Sequence, residues 1–515
     1  MDALDKTLIK SNYYLYTRWR FFQAFGFKFM KNWHFKVICK KLEEIILFQQ
    51  QKNIVINIPP GSGKSEIISI GLPAYGMGLD PSNKFIVTSY GIEVAENFTA
   101  QTKDILNEPW HQEIFPLEMD RSAGAKKFFK TKRKGEVLAS GTGGRVTGYR
   151  AGTAKGNFSG IIITDDPLKA GDSQSKAKLK EAEEFQDETL ESRKMTQDVI
   201  KLVVMQRLSE IDVSGKMLER GWDHLNMPAI LNEEQLKTFC EYVGENYKKT
   251  DSYKYGDKKA DEFSLWHWKW SLEDLRRDRG DYIDQKIPGI GSFVFSGQYM
   301  QQPSPDGGGV IKDTWFREYE TLPPVQFKII TADTAWDENT KADYSVLQCW
   351  GKCEGGIYLI DQIRGKWAFH DLKKRSVAFY QKHMPRFFYV ENKQSGIALY
   401  QELKREYMIP VKKLQAAKDK ITRANDASPW VEAGMVYLPS KHICPWVEDL
   451  REEVKSFPVG KNDDQVDTMV YAINALCTQI QFVAPDEMIT VPSRKELESS
   501  RAHLSIRDES NPWMD

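Results

Sequence analysis

The chain has 515 residues, too many for one ordinary core, so two or three domains are expected. Lys plus Arg and Asp plus Glu both number 72, so no overall basic excess points to nucleic acid, although local patches stay open. The six cysteines form no CxxC pair, the N-terminus lacks an apolar signal core, and no run of about 18 apolar residues occurs; a zinc ribbon, secretion and a membrane span are therefore not expected.

Residues 1–34 are aromatic and basic and read as a helical lead-in. Phe35, Ile38, Leu42, Ile45 and Ile46 then recur at helical spacing, predicting an amphipathic helix over 35–50. The runs IVINI (54–58), KFIVTSY (84–90), GIIITDD (160–166) and DVIKLVVM (198–205) read as strands separated by helices. That alternation predicts a mostly parallel sheet covered on both faces, over a domain spanning 35–235. From 236 to 325 the pattern breaks into a connecting region, with LWHWKWSLEDLRRDRGD read as helical and QQPSPDGGGV as a boundary. A second α/β domain is expected over 326–483, opening with strands at 327–336, 344–352 and 356–365 as an antiparallel meander. A strand at 386–392 and a late helix at 463–478 follow, and 484–515 reads as a charged, mobile tail.

Gly61, Ser62, Gly63, Lys64 and Ser65 follow the first strand directly. In a phosphate-binding loop, amides at a helix N-terminus wrap the phosphates, the lysine reaches their oxygens, and the hydroxyl binds Mg²⁺. Ile58 occupies the place of the first glycine in GxxxxGK[ST], so the five residues alone also fit a plain glycine turn. The strand IIITDD decides for an NTPase, because it ends in two carboxylates. Asp165 is assigned to the metal and Asp166 to the attacking water. Between them, Arg145 and Arg150 lie in a glycine-rich loop that can bring an arginine to a γ-phosphate, in cis or from a neighbouring subunit. Gln206 and Arg207, at the end of VVMQR, can report nucleotide state.

In the second domain, Asp333 and Glu391 end two strands, while Asp464 and Asp467 share a face at a helix start. Carboxylates converging from strand, strand and helix are what a two-metal phosphodiester site needs, with Mg²⁺ or Mn²⁺ about 4 Å apart. Asp333, Glu391 and Asp467 are the chosen triad; Asp343 and Asp361 rank lower. Lys412, Lys413, Lys418, Lys420 and Arg423 form a basic stretch that can line DNA.

In this order the motifs INIPPGSGKSE, SYGIEVAENF, IIITDDP, VMQRLSEID, TADTAW, YVENKQSG and DDQVDTMVYA resemble the large terminase subunit of tailed bacteriophages, over about Asn32 to Leu476. The resemblance implies an N-terminal RecA/additional-strand ATPase and a C-terminal ribonuclease H-like nuclease. It implies ATP with Mg²⁺ on Gly61–Ser65 and Asp165, and Asp166 as the catalytic carboxylate where many relatives carry glutamate. Arg150, rather than Arg145, matches the trans-acting arginine, and Arg207 the coupling residue. Asp333, Glu391 and Asp467 match the nuclease triad with two Mg²⁺ or Mn²⁺. The implied partners are double-stranded DNA, the portal protein, the small terminase subunit and copies of the chain itself, in a pentameric ring at the procapsid portal in the host cytoplasm. A helicase–nuclease is the alternative, but it would need a second RecA-like unit, and nothing after residue 240 supplies one.

Overall fold

The computed structural model describes residues 2–480 except 27–28, 48, 51, 174, 246–255, 258–259, 282–288, 304–309, 335–343, 415–418, 459 and 461. Asp343, Lys418 and the 484–515 segment therefore lie outside the described residues. The strands, in chain order, are β1 (Ile54–Asn57), β2 (Lys84–Ser89), β3 (Met119–Ala125), β4 (Phe128–Thr131), β5 (Glu136–Gly141), β6 (Ile162–Asp165), β7 (Lys201–Met205) and β8 (Asp223–Asn226). They continue with β9 (Ile230–Leu231), β10 (Phe263–Ser264), β11 (Arg317–Tyr319), β12 (Phe327–Asp333), β13 (Ser345–Cys353), β14 (Gly356–Gly365), β15 (Phe387–Glu391), β16 (Val411–Leu414) and β17 (Val436–Pro439).

The chain forms two compact units and does not divide at a single point. The first comprises 1–317 together with 417–435 and 451–461; the second takes 318–416, 436–450 and the remainder from 462. The first unit therefore recruits the helix Lys420–Glu432, whose Glu432 carboxylate accepts from the Ser292 amide at 2.8 Å, and Arg451, which pairs with Asp313 at 2.7 Å.

The first unit is built on an eight-stranded sheet in the order β3-β4-β5-β2-β6-β7-β1-β8. From β5 through β8 every pairing is parallel, as the alternation of strands and helices predicts. β-Branched runs fill its centre because both faces are dry. Ile54 and Ile56 enter one core cluster while Val55 enters another; Leu202 and Val204 likewise part from Val203 and Met205. The antiparallel extension β3–β4–β5 is not apparent in the sequence reading. Residues 265–270, read there as helical, form turns, and helix begins only at Leu272.

The lead-in is part of this core. Its helices are α1 (Ala3–Ser11) and α2 (Tyr13–Phe25), followed by α3 (Trp33–Ile46). Tyr13 and Tyr16 are completely buried. From α2, Tyr13 donates to the Ile67 carbonyl at 2.5 Å, and Arg20 binds the Glu66 carboxylate at 2.7 Å and its carbonyl at 2.8 Å. Both contacts brace the helix that follows Lys64.

The second unit holds a seven-stranded sheet in the order β11-β17-β14-β13-β12-β15-β16. β12, β13 and β14 are the expected antiparallel meander, and β15 joins β12 in parallel. Ile330, Ala332, Phe388 and Val390 point into one apolar cluster. The period of two then sends Thr331, Asp333, Tyr389 and Glu391 to the opposite face. The helix Asp464–Ile480 covers that face, where the Thr331 hydroxyl donates to the Thr468 carbonyl at 3.0 Å. The start of the same helix is pinned by Gln348, whose amide donates to the Gln465 carbonyl at 3.1 Å. No described helix is long and apolar enough to cross a membrane.

Asn57 ends β1 and fixes where the next loop departs. Its amide donates to the Met205 carbonyl at 3.0 Å, and its Oδ1 accepts from the Ser214 hydroxyl at 2.9 Å and His224 Nε2 at 2.8 Å. Burial lowers the His224 pKa to about 4, so the ring is neutral and donates a single proton. Asn57→Leu takes the acceptor from the Ser214 hydroxyl and from His224 and one of two donors from the Met205 carbonyl, and should destabilise the first unit by roughly 1–3 kcal/mol. Urea unfolding followed by tryptophan fluorescence checks this; a loss below about 0.5 kcal/mol would show that the network is dispensable.

Candidate functional site

Two acidic centres emerge, one in each unit. In the first, the sheet register aligns Ser89, Asp165 and Val204 side by side, with Asn57 opposite Met205 on the next strand pair. The loop after β1 thus opens at the strand end that carries Asp165. Gly61 and Gly63 take φ of 71° and 83°, which side chains strongly disfavour, and helix starts at Lys64. The Ser62 hydroxyl is buried and, among the described residues, has no hydrogen-bond partner.

Lys64 is buried and its Nζ donates to Asp166 Oδ1 at 2.6 Å. Asp166 itself adopts φ 43°, held there by its amide on the Val204 carbonyl and its carbonyl on the Tyr90 amide, both at 2.9 Å. A non-glycine residue in this region stores strain that the surrounding backbone must hold, a pattern associated with functional positions. Asp165 is buried, with Oδ2 accepting from the Ser69 hydroxyl at 2.6 Å. Burial raises its pKa to about 6, against the pull of Lys64 and the hydroxyls of Ser65 and Ser69. Its Oδ1 is buried with no full hydrogen bond, close to Ser65. A spare carboxylate oxygen beside a hydroxyl is a donor set that suits Mg²⁺.

Arg145 and Arg150 are both exposed in the loop leading to β6, and the hydrogen bonds of the Lys64–Asp166 centre include neither. Arg207 differs from the expectation of a nucleotide-facing residue. Its guanidinium binds both oxygens of Asp212 at 3.1 Å and the carbonyls of Ser209 and Glu210, closing the turn that follows β7. Gln206 Oε1 is buried and unpartnered among the described residues.

The sequence reading missed the residues behind the loop. His34 Nε2 lies 3.3 Å from the Ser62 carbonyl, and burial takes its pKa down to about 3. The Phe35 ring backs Gly63, and the Lys269 ammonium donates to the Gly61 carbonyl while lying over Trp266 and Trp270. The letters NWHF and LWHWKW held these residues, but only the fold brings them to the loop.

In the second unit, Asp333 and Glu391 end neighbouring parallel strands on the face covered by the helix that carries Asp467. All three are buried. Burial and then the Glu391 charge push the Asp333 pKa well up, and the two carboxyl groups are hydrogen-bonded. Burial works against the charge of Glu391 too, but Lys393 and Tyr471 outweigh it and hold that pKa below its ordinary value. Lys393 Nζ stands 2.8 Å from Oε2, and the Tyr471 hydroxyl donates to Oε1 at 2.7 Å. The two carboxyl groups thus act on one another's ionisation, with Asp333 pushed up and Glu391 held down.

Among the described residues no group of three or more His, Cys, Asp or Glu is already spaced to hold a metal ion. The chemistry of the donors nevertheless fits a hard cation, because an ammonium already occupies an oxygen of the buried cluster. Asp464 instead accepts from the Tyr344 amide at 3.4 Å. Asp361 binds Lys382 at 2.6 Å and His383 at 2.8 Å, in register with Cys349 and away from the strand end of Asp333. Lys393 and Tyr471 were also missed, although Lys393 stands only two residues after Glu391. The basic stretch is divided: Lys412 and Lys413 are exposed on β16 of the second unit, while Lys420 and Arg423 belong to the first.

A parallel sheet with a glycine loop and paired strand-end carboxylates, followed by a meander-led sheet with three buried acids, defines the class: a P-loop unit joined to a ribonuclease H-like unit. Residues 330–476 match the family model described as the terminase RNaseH-like domain. Among solved structures the chain is similar to the large terminase from a thermophilic bacteriophage, at 12% identity over 85% of this chain and 98% of that one, TM-score 0.47. It is also similar to the large terminase of bacteriophage HK97, at 11% identity over 88% and 96%, TM-score 0.33. The large terminase nuclease of another thermophilic phage, G20c, with bound magnesium matches at 16% identity over 33% of this chain and 98% of that one, TM-score 0.27. No curated protein matches the chain significantly.

Asp212 is fully buried and also accepts from the amides of Leu208, Ser209 and Gly215, at 2.8, 3.2 and 2.8 Å. Asp212→Ala strips these donors and leaves the Arg207 charge unpaired, so it should cost about 3–5 kcal/mol of first-unit stability. Chemical denaturation measures this, and a cost under about 1 kcal/mol would mean that the turn is held by something else.

Proposed function

We propose that this chain is the large subunit of a phage DNA-packaging motor, an ATPase that moves double-stranded DNA through a portal and a metal-dependent endonuclease that cuts it. The observation that carries the reading is the terminase RNaseH-like domain at 330–476, preceded in the same chain by the Lys64–Asp165–Asp166 centre.

Amides of Gly61–Ser65 and the Lys64 ammonium bind the phosphates of ATP. Lys64 can meet them only by loosening its ion pair, which frees the Asp166 carboxylate to orient the attacking water. Ser65 and Asp165 would hold Mg²⁺. Arg150, exposed on its loop, reaches the γ-phosphate of a neighbouring copy in a homo-oligomeric ring, with Arg145 as the other choice. Asp333, Glu391 and Asp467 would hold two Mg²⁺ or Mn²⁺. When bound, such ions stabilise the attacking and leaving oxygens of a phosphodiester. The protein's own part there is to hold three acids on one face. The portal, the small terminase subunit and the host cytoplasm complete the setting.

The two chemistries rest on separate residues. Lys64→Ala should abolish ATP hydrolysis while plasmid cleavage survives, and Asp333→Ala should do the reverse, leaving ATP turnover within about threefold. Loss of both activities in either folded variant, or packaging of DNA into portal-bearing proheads by Lys64→Ala, would sink the proposal.

Asp165 also sets a pH limit. Its pKa in the folded chain, about 6, lies above the ordinary 3.8, so the ionised form that can take Mg²⁺ declines as pH falls through 6. The Mg²⁺-dependent gain in ATP affinity should therefore shrink by about tenfold per pH unit below that point and level off above it. Titration with a fluorescent ATP analogue, with Mg²⁺ or with chelator, follows it. The step should vanish in Asp165→Asn; its persistence there would assign it to the nucleotide instead.

A further inference from the structure

Lys393 belongs to none of the acidic sets, yet its ammonium enters the nuclease cluster. It lies 2.8 Å from Glu391 Oε2, and the charges of Asp333 and Asp467 act on it as well. The Glu391 side chain is 2% exposed and that of Lys393 61%, so the amine reaches inward from a stem left in solvent. The local backbone offers no reason for a cation here. Lys393 caps the N-terminus of the helix Gln394–Tyr407 without any side-chain capping bond, and the helix dipole disfavours positive charge at that end. The buried acids are what hold it.

Tyr471 occupies Oε1 of Glu391, which leaves Oε2 as the oxygen best placed for a cation, and Lys393 stands on it. A divalent ion and the ammonium must compete for that oxygen. We propose that Lys393 is an exchangeable counter-cation of the nuclease site: it neutralises Glu391 when no metal is bound, yields Oε2 to the metal, and then pairs with a DNA phosphate arriving from solvent. Its exposed four-carbon stem lets the charge move without disturbing a packed core. The inference rests on the nuclease reading above.

The experiment titrates the full-length protein, free of nucleotide, with Mn²⁺ by calorimetry at low ionic strength. Asp333→Ala identifies which part of the heat belongs to this site. Lys393→Gln should bind Mn²⁺ about two- to fivefold tighter than wild type, the range expected when a partly exposed ion pair no longer competes. Lys393→Arg, which keeps the charge, should bind no tighter than wild type. With Mn²⁺ saturating, Lys393→Gln should cut DNA with a raised KM and a nearly unchanged kcat. Thermal unfolding without metal confirms that the exposed substitution leaves the fold intact. Equal or weaker Mn²⁺ binding by Lys393→Gln overturns the exchange. If wild type shows no Asp333-dependent Mn²⁺ binding at all, the nuclease reading falls first and the exchange with it.

Discussion

Carboxylates are expensive to bury, and each of the two centres of this protein sets a lysine against its acids. At the end of β6, Lys64 bonds Asp166 and its charge reaches Asp165. At the ends of β12 and β15 the same need is met by Lys393 on Glu391, while burial and the Glu391 charge push the Asp333 pKa up. Neither lysine can leave without something positive taking its place, since an unpaired buried charge would cost several kcal/mol. The resting ion pairs thus preserve the geometry that phosphates, metals or both would later use. Asp165, Asp333 and Glu391 sit at strand ends, where the paired sheet fixes their backbone and leaves the side chain as the movable part, while Asp467 comes from the helix Asp464–Ile480.

The scaffolds reach this arrangement by different routes. In the first unit both faces of the sheet are apolar, so the β1, β6 and β7 runs alternate between cores on opposite faces, and their functional residues lie at the last paired position, as Asp165 does, or just beyond it. In the second unit the acids occupy the face opposite the Ile330–Phe388 cluster, among buried residues both apolar and polar such as Ile329 and Thr331, beneath the helix Asp464–Ile480. The buried Gln348–Gln465 bond then fixes where that helix starts.

Much of this was legible because it is local. GSGKS, IIITDD, TAD, YVEN and DDQVD each place a charged residue at the end of a hydrophobic run, and a period of two carries the rest. The turn after VVMQR could also have been read locally, since Asp212 lies five residues past Arg207 and caps the helix Val213–Glu219. Other features have no local signal. The aromatic letters of 265–270 resemble a helix, but the chain turns there so that Lys269 can reach Gly61. Tyr471 lies 80 residues from the Glu391 it bonds. The antiparallel extension β3–β4–β5 depends on which strands become neighbours, and composition does not specify that.

The first unit's use of residues 417–435 and 451–461 affects how the chain is made. A ribosome releasing the polypeptide from its N-terminus exposes the phosphate loop early, but the helix bearing Glu432 and the segment bearing Arg451 emerge only after most of the second sheet. Both units are therefore completed only late in translation, the first with residues 451–461 and the second with the helix Asp464–Ile480 that carries Asp467.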